Sequence, residues 1–479
     1  MGVRSGDRVA VCMPNCIQAV ESLYALNRLG AVSAMIHPLA APGEIAASLQ
    51  IADAGVVLTL DRFVPAVEAA RQELDRPLIL LSARLPGEGP PANAPGLLRW
   101  RDFLAAGRRS RLPLPEDRGQ ALDPAVILFS GGTTGAPKGI LLNSLNCNAA
   151  GLQTLAASGI GPVAGLRMLA VLPIFHGFGL GVGVHAALLG GACCLLVPRF
   201  QAERCARLLL RKKPEILPGV PTLFEALRQT KALKDADLGF LKGVFCGGDA
   251  LSPPQQQKLD QFLAEHGAAV PIRQGYGLTE CVSASCLTPA DCCREGSMGI
   301  PFPDTYYKIC RPGTVEEVPA GVQGEICLTG PSVMVEYVGN PEETAQALRR
   351  HGDNRLWLHT GDLGKMDEDG FVYFLQRLKR IIVTSGYNVY PTQLEAVLES
   401  HPKVRLACVI GIPAANKGQK VKAFAVPEEG SGLTKGELLA FCRMKISRYA
   451  LPGQIELRDS LPMTKIGKVD YRALEEEGN

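Results

Sequence analysis

The sequence lacks the features that mark nucleic-acid-binding, secreted and membrane proteins. It has no dense run of Lys or Arg, and its formal net charge of +3 is small for 479 residues, which argues against a nucleic-acid partner. The first residues carry Arg4, Asp7 and Arg8 in place of the apolar run of a signal peptide. Gly190-Gly191 interrupts the long uncharged stretch at 177–197. A buried helix–turn–strand unit is therefore predicted there instead of a transmembrane segment.

Cysteine is plentiful, but its spacing is neither that of a disulfide framework nor that of a zinc site. The 15 cysteines are odd in number, scattered along the chain and without any C-x-x-C. The adjacent pairs Cys193-Cys194 and Cys292-Cys293 do not suit zinc either. We therefore expect a protein of the reducing cytoplasm, in which most thiols act as small core residues.

Two common nucleotide-binding motifs are also missing. No Gly-Lys-Ser/Thr opens a helix, as a Walker A loop requires. No G-x-G-x-x-G follows a predicted strand, which argues against a NAD-dependent oxidoreductase.

A different Gly-rich loop is present, from Phe129 to Gly139, between two apolar runs that are predicted to be strands. Its glycines let backbone N–H groups approach an anion closely. Thr133 and Thr134 add hydroxyl donors, and Lys138 adds a positive charge. The loop predicts a triphosphate site, with a plain surface turn as the alternative, and Asn143 or Ser144 is expected to cap the following helix.

Alternating strand and helix patterns predict an α/β fold with more than one domain. The length exceeds that of one ordinary core, and 47% hydrophobic with 20% charged residues is typical of a globular enzyme. Strand–helix–strand units give way near Gly299 to β-like segments punctuated by Gly and Pro, and a separate α+β unit begins near Leu378.

Polar motifs follow several of the predicted strands. Gly275-Tyr-Gly-Leu-Thr-Glu280 is expected at the carboxyl end of a strand, where open α/β sheets bind ligands. In it, Tyr276 offers a flat face to a base, Thr279 a hydroxyl to phosphate, and Glu280 a hard oxygen to Mg²⁺.

Two further motifs lie towards the C-terminus. Thr360-Gly-Asp362 is predicted to form a polar loop, in which the carboxylate can accept both hydroxyls of a ribose, with a simple turn as the alternative. Lys468 stands next to Gly467 on a predicted loop. A lysine in such a place is usually solvated, so Lys468 becomes a candidate site residue only in combination with the other motifs.

Together and in order, these motifs resemble the successive core motifs of the acyl-adenylate-forming superfamily, over nearly the whole chain. The matching segments are 129–139, Pro173-Ile-Phe-His176, Gly247-Gly248-Asp249, Gly275–Glu280, Thr360–Asp362, Arg377-Leu-Lys379, Gly386–Pro391 and Gly467-Lys468. Within the superfamily the motifs look like those of acyl- and aryl-CoA ligases, because His176 stands where amino-acid-activating relatives usually carry Asp.

The resemblance implies ATP-dependent conversion of a carboxylic acid to an acyl-adenylate with release of pyrophosphate, followed by transfer to the thiol of coenzyme A. A fatty acid is expected, because Gly177–Gly181 and Ala284 suggest an apolar pocket. Loading of a carrier protein's phosphopantetheine thiol is the close alternative. A nucleotide-binding regulatory protein without turnover is a more distant one. The chain length and aromaticity of the acid, and the oligomeric state, stay open.

The resemblance also implies roles for individual residues. Those expected to hold ATP, or to serve the hinge and the pantetheine path, are Gly132, Thr133, Thr134, Gly135, Lys138, Gly248, Asp249, Tyr276, Gly277, Asp362, Arg377, Lys379 and Gly386. Those expected in catalysis are His176, Thr279, Glu280 and Lys468. Glu280 would bind Mg²⁺, Lys379 would be the hinge, and Lys468 would bridge the substrate carboxylate and the α-phosphate.

The implied architecture is a large N-terminal domain of stacked αβα sheets with a β-rich subdomain, at 1–377, and a small mobile α+β domain at 378–479. The chain departs from the family pattern at Gly131, where many relatives have Ser, and at Gln393, where Glu is usual. It also has few residues before the predicted strand Asp7–Cys12, where relatives usually have several dozen.

Overall fold

A computed structural model describes the chain apart from residues 90, 111–118, 132–136, 385–386, 415–417, 465–466 and 479. The predictions made for Gly132, Thr133, Thr134, Gly135 and Gly386 therefore lie outside the described residues. In the rest of the chain the strands form four sheets, which confirms the predicted α/β class.

The first sheet carries the Gly-rich loop between two of its strands. Its described strands, in spatial order, are Glu336–Tyr337, Pro137–Asn143, Pro124–Gly131, Val32–Met35, Arg8–Cys12, Val56–Leu60, Ile79–Ala83 and Leu98–Arg99. Pro124–Gly131 pairs in parallel with Val32–Met35 but antiparallel with Pro137–Asn143. The two strands predicted to flank the loop are thus confirmed, and Glu336–Tyr337 extends the sheet beside them.

The second sheet is parallel at its centre and ends in antiparallel strands. Its described strands, in spatial order, are Ile300–Pro301, Ala284–Leu287, Ile272–Gly277, Gly243–Cys246, Ile216–Gly219, Arg167–Ala170 and Cys193–Leu196. Gly275, Tyr276 and Gly277 lie within the strand Ile272–Gly277, and Thr279 begins the 3₁₀ turn Thr279–Cys281 directly after it. The motif was expected to follow the strand. Its first half instead belongs to it, because Gly275 and Tyr276 pair with Leu287 and Cys286 of the neighbouring strand.

The third sheet is antiparallel and corrects one prediction. Its described strands are Tyr306–Cys310, Gly324–Thr329, Leu356–Met366, Leu348–Arg350 and Val372–Arg377. Thr360-Gly361-Asp362, expected in a polar loop, lies inside the strand Leu356–Met366. The register shifts beside it, and Gly361 has a φ of +69°. The irregular strand turns Asp362 inward, where it is fully buried.

The fourth sheet belongs to the C-terminal part of the chain. Its described strands are Tyr387–Val389, Ile382–Thr384, Gly418–Pro427, Val404–Ala414 and Gln454–Leu457. Helices Pro391–Glu399 and Lys435–Lys445 share an apolar core with these strands. The predicted α+β unit is present.

The helices begin where sequence signals place them. The described α-helices are Ile17–Arg28, Pro42–Ala52, Val64–Arg71, Trp100–Arg109, Ser144–Ser158, Ala187–Leu189, Ala202–Lys212, Pro221–Arg228, Pro253–Glu265, Pro341–Ala347, Pro391–Glu399, Lys435–Lys445 and Tyr471–Gly478. Five of them begin at proline, whose missing N–H costs nothing there. Asn143 caps Ser144–Ser158, since its side chain accepts the N–H of Asn146 at 2.8 Å.

The stretch 177–197 forms the predicted helix–turn–strand unit, beginning with the π-helical segment Phe178–Ala186. Within the described residues, none of the helices combines the length and the apolar composition needed to cross a bilayer.

Several polar groups join the C-terminal part to the helix Pro253–Glu265, which packs beside the second sheet. Ser252 Oγ and Gln255 Nε2 donate to the Glu399 carboxylate at 2.6 and 3.0 Å. Lys258 Nζ donates to the Val404 carbonyl at 3.1 Å. Because such bonds can be exchanged for bonds to water, this contact can open at a smaller cost than an apolar core could.

Glu399 makes this contact sensitive to pH. The side chain is buried at the contact, and burial raises the pKa of Glu399 from 4.5 to about 8. The folded state therefore keeps a proton that the unfolded chain releases near its ordinary pKa. The contribution to stability is complete below pH 4.5 and is lost as the pH rises to about 8.

We predict that Glu399→Gln, which keeps the shape but cannot ionise, removes this pH dependence. Relative to the variant, the wild type should lose up to about 1.4 kcal/mol of unfolding free energy per pH unit between these limits. Chemical denaturation at pH 5, 6.5 and 8 measures it. The control variant Glu429→Gln, at an exposed position, should show the same dependence of unfolding free energy on pH as the wild type. The same dependence in Glu399→Gln would contradict the prediction.

Candidate active site

Sequence-predicted site residues from distant parts of the chain line one cavity of about 1410 Å³. Those within the described part of the chain that line it are Lys138, His176, Gly248, Asp249, Tyr276, Gly277, Thr279, Glu280, Asp362, Arg377, Lys379 and Lys468. The fold therefore brings together every predicted site residue that the structure describes.

Lys468 enters this cavity from the C-terminal part of the chain. Thr464 holds its backbone, because Thr464 N–H donates to the Lys468 carbonyl at 2.7 Å and Lys468 N–H donates to Thr464 Oγ1 at 3.1 Å. The Thr222 hydroxyl, on a helix of the second sheet, donates to the Gly467 carbonyl. The lysine is thus fastened at its base while its long side chain reaches inward.

The Lys468 ammonium lies in a mixed electrostatic environment. Burial lowers its pKa, the carboxylates of Asp249 and Asp362 oppose that shift, and the Arg377 charge adds to it. A cation that has lost part of its water and lacks a full counter-charge is ready to bind an anion.

Gly248 forms the wall opposite this lysine. Its φ of +81° is one that side-chain-bearing residues rarely adopt. A Cβ there would lie 3.4 Å from Val220 Cγ1, 3.7 Å from Phe178 Cδ1 and 3.9 Å from Lys468 Cε. The glycine therefore keeps the backbone exposed between two apolar side chains and the lysine, where a flat ring can approach it.

Asp362 contacts Tyr276 and Arg377 on the cavity wall, the first through a hydrogen bond and the second through an ion pair. The Tyr276 hydroxyl donates to Asp362 Oδ2 at 2.7 Å, and Arg377 Nε lies 3.0 Å from Asp362 Oδ1. Burial raises the pKa of Asp362, and the Arg377 charge opposes that shift. Among the described groups none donates a hydrogen bond to Oδ1. The hydrogen-bonding capacity of that oxygen is therefore unused among the described residues.

Glu280 lies in the turn Thr279–Cys281 and is held from the first sheet. The Tyr337 hydroxyl donates to Glu280 Oε1 at 2.8 Å. The Met334 N–H donates to the Glu280 carbonyl, also at 2.8 Å. One carboxylate oxygen is thus oriented by the tyrosine, and the other can face a cation in the cavity.

The turn that carries Thr279 and Glu280 closes with a strained residue. Val282 has φ +66° and ψ −54°, and the Ser283 N–H donates to the Cys281 carbonyl at 2.7 Å. This is a γ-turn of the rare, strained type, and it is more costly for a β-branched residue. Such strain persists only where the surroundings fix the backbone, as they do at many functional sites.

Gly177 and Gly181 pack closely against the residues that end this turn. A Cβ at Gly177 would lie 2.0 Å from the Val282 carbonyl oxygen, and one at Gly181 would lie 2.8 Å from Ser283 Cβ. The expectation that Gly177–Gly181 lines an acyl pocket is therefore wrong for the glycines: within that segment Phe178 lines the cavity. Ala284, the other residue named for the pocket, does line it.

Lys138 approaches the cavity from the strand that follows the Gly-rich loop. Its ammonium lies 2.7 Å from Glu343 Oε2 and 5.1 Å from the centre of the Tyr337 ring. Both side chains of the ion pair are partly exposed, at 25% and 33%. An exposed pair of this kind is worth about 0–1 kcal/mol, so a phosphate can compete for the lysine.

His176 is a neutral imidazole at the cavity wall. Burial, with the nearby charge of Lys468, lowers its pKa to about 3. The Phe178 N–H donates to His176 Nδ1 at 3.3 Å. Since a neutral imidazole carries one proton, Nε2 holds it and is a hydrogen-bond donor.

One end of the cavity is apolar. It is lined by side chains that belong to, or pack against, a single hydrophobic cluster: Leu155, Ile160, Val163, Met168, Ile216, Phe245, Ala284, Leu287 and Phe302. Such a surface favours a hydrocarbon chain or ring and offers no charge to a second polar group.

Three contributors to the site carry no sequence signal of their own. Tyr337, Glu343 and Thr222 lie in ordinary segments, and each reaches the site through a tertiary contact. Tyr337 is positioned by pairing with Ile140, nearly two hundred residues earlier in the chain. Only the distant pairing of those strands could have revealed it.

Two family models match the chain. Residues 1–338 match the model described as AMP-binding enzyme, and residues 393–468 match the AMP-binding enzyme C-terminal domain.

Curated relatives match over nearly the whole chain. The long-chain-fatty-acid–CoA ligase of Bacillus subtilis (strain 168) is 33% identical over 99% of this chain and 86% of its own length. That of Escherichia coli O6:H1 is 31% identical over 100% and 86%. The feruloyl-CoA synthase of Amycolatopsis sp is 31% identical over 98% and 88%.

Solved structures have the same architecture. ATP-bound MatB from Rhodopseudomonas palustris is 27% identical with a TM-score of 0.86, covering 99% of this chain and 89% of that one. The anthranilate CoA ligase AuaEII in complex with anthranoyl-AMP is 25% identical with a TM-score of 0.87, covering 100% and 88%. The predicted resemblance is therefore confirmed: the chain belongs to the AMP-binding enzyme family, within the acyl-adenylate-forming superfamily.

Proposed function

We propose that this AMP-forming acid–thiol ligase activates a fatty acid with ATP and transfers it to the thiol of coenzyme A. The observation that carries the proposal is the position of Lys468, whose side chain reaches Gly248 within the cavity that Asp362 and the apolar end also line. A cation at that junction can contact the carboxylate of an acid and the α-phosphate of a nucleotide at once.

In the first half-reaction a carboxylate oxygen attacks the α-phosphorus of ATP. A C–O–P linkage forms, the bond from the α-phosphorus to the β-phosphate bridging oxygen breaks, and pyrophosphate leaves. The acid is already ionised, so no general base is needed. Lys468 stabilises charge that spreads over the phosphoryl oxygens, and it does so more in the transition state than in the ground state.

The remaining residues would orient the nucleotide. Asp362 would accept the ribose hydroxyls, with its carboxylate held by Tyr276 and Arg377. The backbone at Gly248 would face the adenine, with Asp249 and Gly277 beside it. Thr279 would donate to the α-phosphate, and Lys138 would contact the β- and γ-phosphates.

The residues near Glu280 suit Mg²⁺, because a carboxylate oriented by Tyr337 supplies the hard oxygen that this ion prefers. Bound there with the phosphates, Mg²⁺ would neutralise part of their charge. Glu280 would hold the ion while Lys468 acts on the α-phosphate.

The second half-reaction needs the lysine out of the way. We propose that 378–479 form a mobile domain that turns about Lys379, in the short segment Leu378–Arg380 after the strand Val372–Arg377. The thiol would then attack the acyl carbon and release AMP. The polar contact through Glu399 and Lys258 supports this proposal, because it can exchange with water. His176, with its Nε2 proton, would stand at the boundary between the acyl pocket and the thiol path.

A fatty acid is the favoured substrate because the apolar end of the cavity is lined by aliphatic and aromatic side chains. The fatty-acid–CoA ligases among the relatives agree with this choice. An aromatic acid, as the name feruloyl-CoA synthase suggests for another relative, is the second candidate. A location in the cytoplasm and an acceptor thiol on a carrier protein stay predictions. A panel of acids, read by pyrophosphate release with and without free CoA, separates these substrates and acceptors.

We predict that Lys468→Ala lowers acid-dependent exchange of labelled pyrophosphate into ATP by about 10²–10³-fold, because one preorganised contact to the developing charge is lost. ATP binding, measured by calorimetry, should persist. Lys435→Ala, which changes an exposed lysine of the same C-terminal part, should keep full exchange. Unchanged exchange in Lys468→Ala would refute the role given to this residue.

We predict that Ala284→Phe shortens the apolar end of the cavity. Activity with long-chain acids should fall by tenfold or more relative to short-chain acids, since a fatty chain can no longer be buried to its end (about 0.8 kcal/mol per CH₂). Competition between acids of different length measures the ratio, and Ala284→Ser, which adds little volume, is the control. An equal loss for all chain lengths would mean that Ala284 does not line the acyl path.

We predict that Glu343→Gln strengthens ATP binding by about twofold to fivefold, because Lys138 no longer has to leave an ion pair worth about 0.5–1 kcal/mol. Lys138→Ala should weaken ATP binding. The neighbouring exposed carboxylate serves as the control through Glu342→Gln, which should change little. Weaker ATP binding in Glu343→Gln would show that the carboxylate helps, rather than competes with, the phosphates.

A further inference from the structure

A second cluster of chemically active side chains lies in the third sheet, next to Glu325 and His359 of the cavity wall. The ligand atoms of Cys310, Cys327 and His351 all lie within 4.8 Å of one another. Both cysteines are fully buried and His351 is 6% exposed. Two thiols and an imidazole from three separate segments thus meet in the core, and these are donor types of structural zinc sites.

A chain of hydrogen bonds connects Glu325, His359 and His351. His359 Nδ1 lies 2.9 Å from Glu325 Oε2, and a carboxylate can only accept, so His359 Nδ1 carries a proton. His359 Nε2 lies 3.0 Å from His351 Nε2, so one of these two ring nitrogens donates to the other. With both rings neutral, His351 Nε2 is the donor and His351 Nδ1 presents a lone pair.

No described group of the protein donates a hydrogen bond to the lone pair of His351 Nδ1. His351 Nδ1 is buried and makes no hydrogen bond with any group that the structure describes. A buried polar atom without a partner costs about 1–3 kcal/mol and calls for an explanation. A Lewis acid bound between this imidazole and the two sulfurs would satisfy it.

We propose that Cys310, Cys327 and His351 form a structural site for one Zn²⁺ ion. Soft sulfur and nitrogen donors are those that zinc prefers. Binding releases two thiol protons to solvent, and the two thiolates balance the charge of the ion, so the buried site is neutral overall. Glu325 and His359 orient the third ligand, as carboxylate–histidine pairs do around zinc.

The surroundings offer a further ligand. Cys327 belongs also to a second set, with Glu325 and His359, whose ligand atoms are again within 4.8 Å of one another. A carboxylate is therefore close to the shared sulfur. The spacing of the cysteines along the chain gave no sign of the site, because its ligands lie on two antiparallel strands and in the turn before a third.

The site is connected to the nucleotide residues through the backbone. Glu325 Oε1 accepts the Gly361 N–H at 3.0 Å, and Thr360 Oγ1 donates to the Ile326 carbonyl at 2.7 Å. Both contacts fix the irregular strand that turns Asp362 inward. The ion would thus stiffen the base of the ribose-binding segment without touching the ligand.

The test is the zinc content of the full chain, expressed with added zinc, freed of loosely held ions by a chelating resin and measured by inductively coupled plasma mass spectrometry. The exposed Cys193, Cys292 and Cys293 are first changed to Ser, so that surface thiols do not contribute. We expect about one ion per chain, and a loss of roughly tenfold or more in Cys310→Ser, Cys327→Ser and His351→Gln. Cys442→Ala, at a buried cysteine of the helix Lys435–Lys445, should keep the ion.

Cobalt provides a second measurement that does not depend on stability. Chain produced with Co²⁺ should show a sulfur-to-metal charge-transfer band, absent in whichever of the three variants stays folded by circular dichroism. A metal-free chain, equal zinc in the variants and their parent, or a Cys310–Cys327 disulfide in place of metal would overturn the proposal. None of these measurements depends on ligase activity. A failure of the zinc proposal can therefore be distinguished from a failure of the proposed function.

Discussion

The site depends on one electrostatic constraint: a lysine from the C-terminal part must be held, short of counter-charge, where two anions are to meet. Burial lowers the pKa of Lys468 and the neighbouring carboxylates oppose that shift without forming an ion pair with it. Had Asp249 or Asp362 closed on the lysine, the cation would be neutralised. Asp362 is instead engaged by Tyr276 and Arg377, which leaves Lys468 for the ligand.

The backbone around this lysine is shaped by close approach. Gly248 keeps an opening that a side chain would fill, and Gly177 and Gly181 let the π-helical segment press against the turn that carries Thr279 and Glu280. This close packing helps to hold Val282 in its strained backbone conformation. The same glycine-rich segment thus supports the catalytic turn, while its larger side chains, such as Phe178, contribute to the cavity surface.

The local patterns sufficed for much of the fold and for the candidate site. The strand–loop–strand unit, the Asn143 cap and the α+β unit follow from apolar periodicity and capping chemistry, which act over a few residues. Asp362 was misplaced in a loop because Gly361 and its polar neighbours are also typical of turns, and only pairing within the third sheet makes the segment a strand. Tyr337 and the Cys310–Cys327–His351 cluster could not be predicted, since each depends on strands that meet only in the folded chain.

A polar contact also reconciles firm positioning of Lys468 with its proposed departure. Apolar burial of about 25 cal/mol per Å² would hold the C-terminal part in one place and make separation costly. The hydrogen bonds of Glu399, Lys258 and Thr222 instead orient the C-terminal part against the rest of the chain. Water can replace each of these bonds when the contact opens. Direction without deep apolar burial is what a lysine needs if it is to act in one half-reaction and be absent from the next. A few exchangeable hydrogen bonds therefore position Lys468 without preventing the C-terminal part from moving.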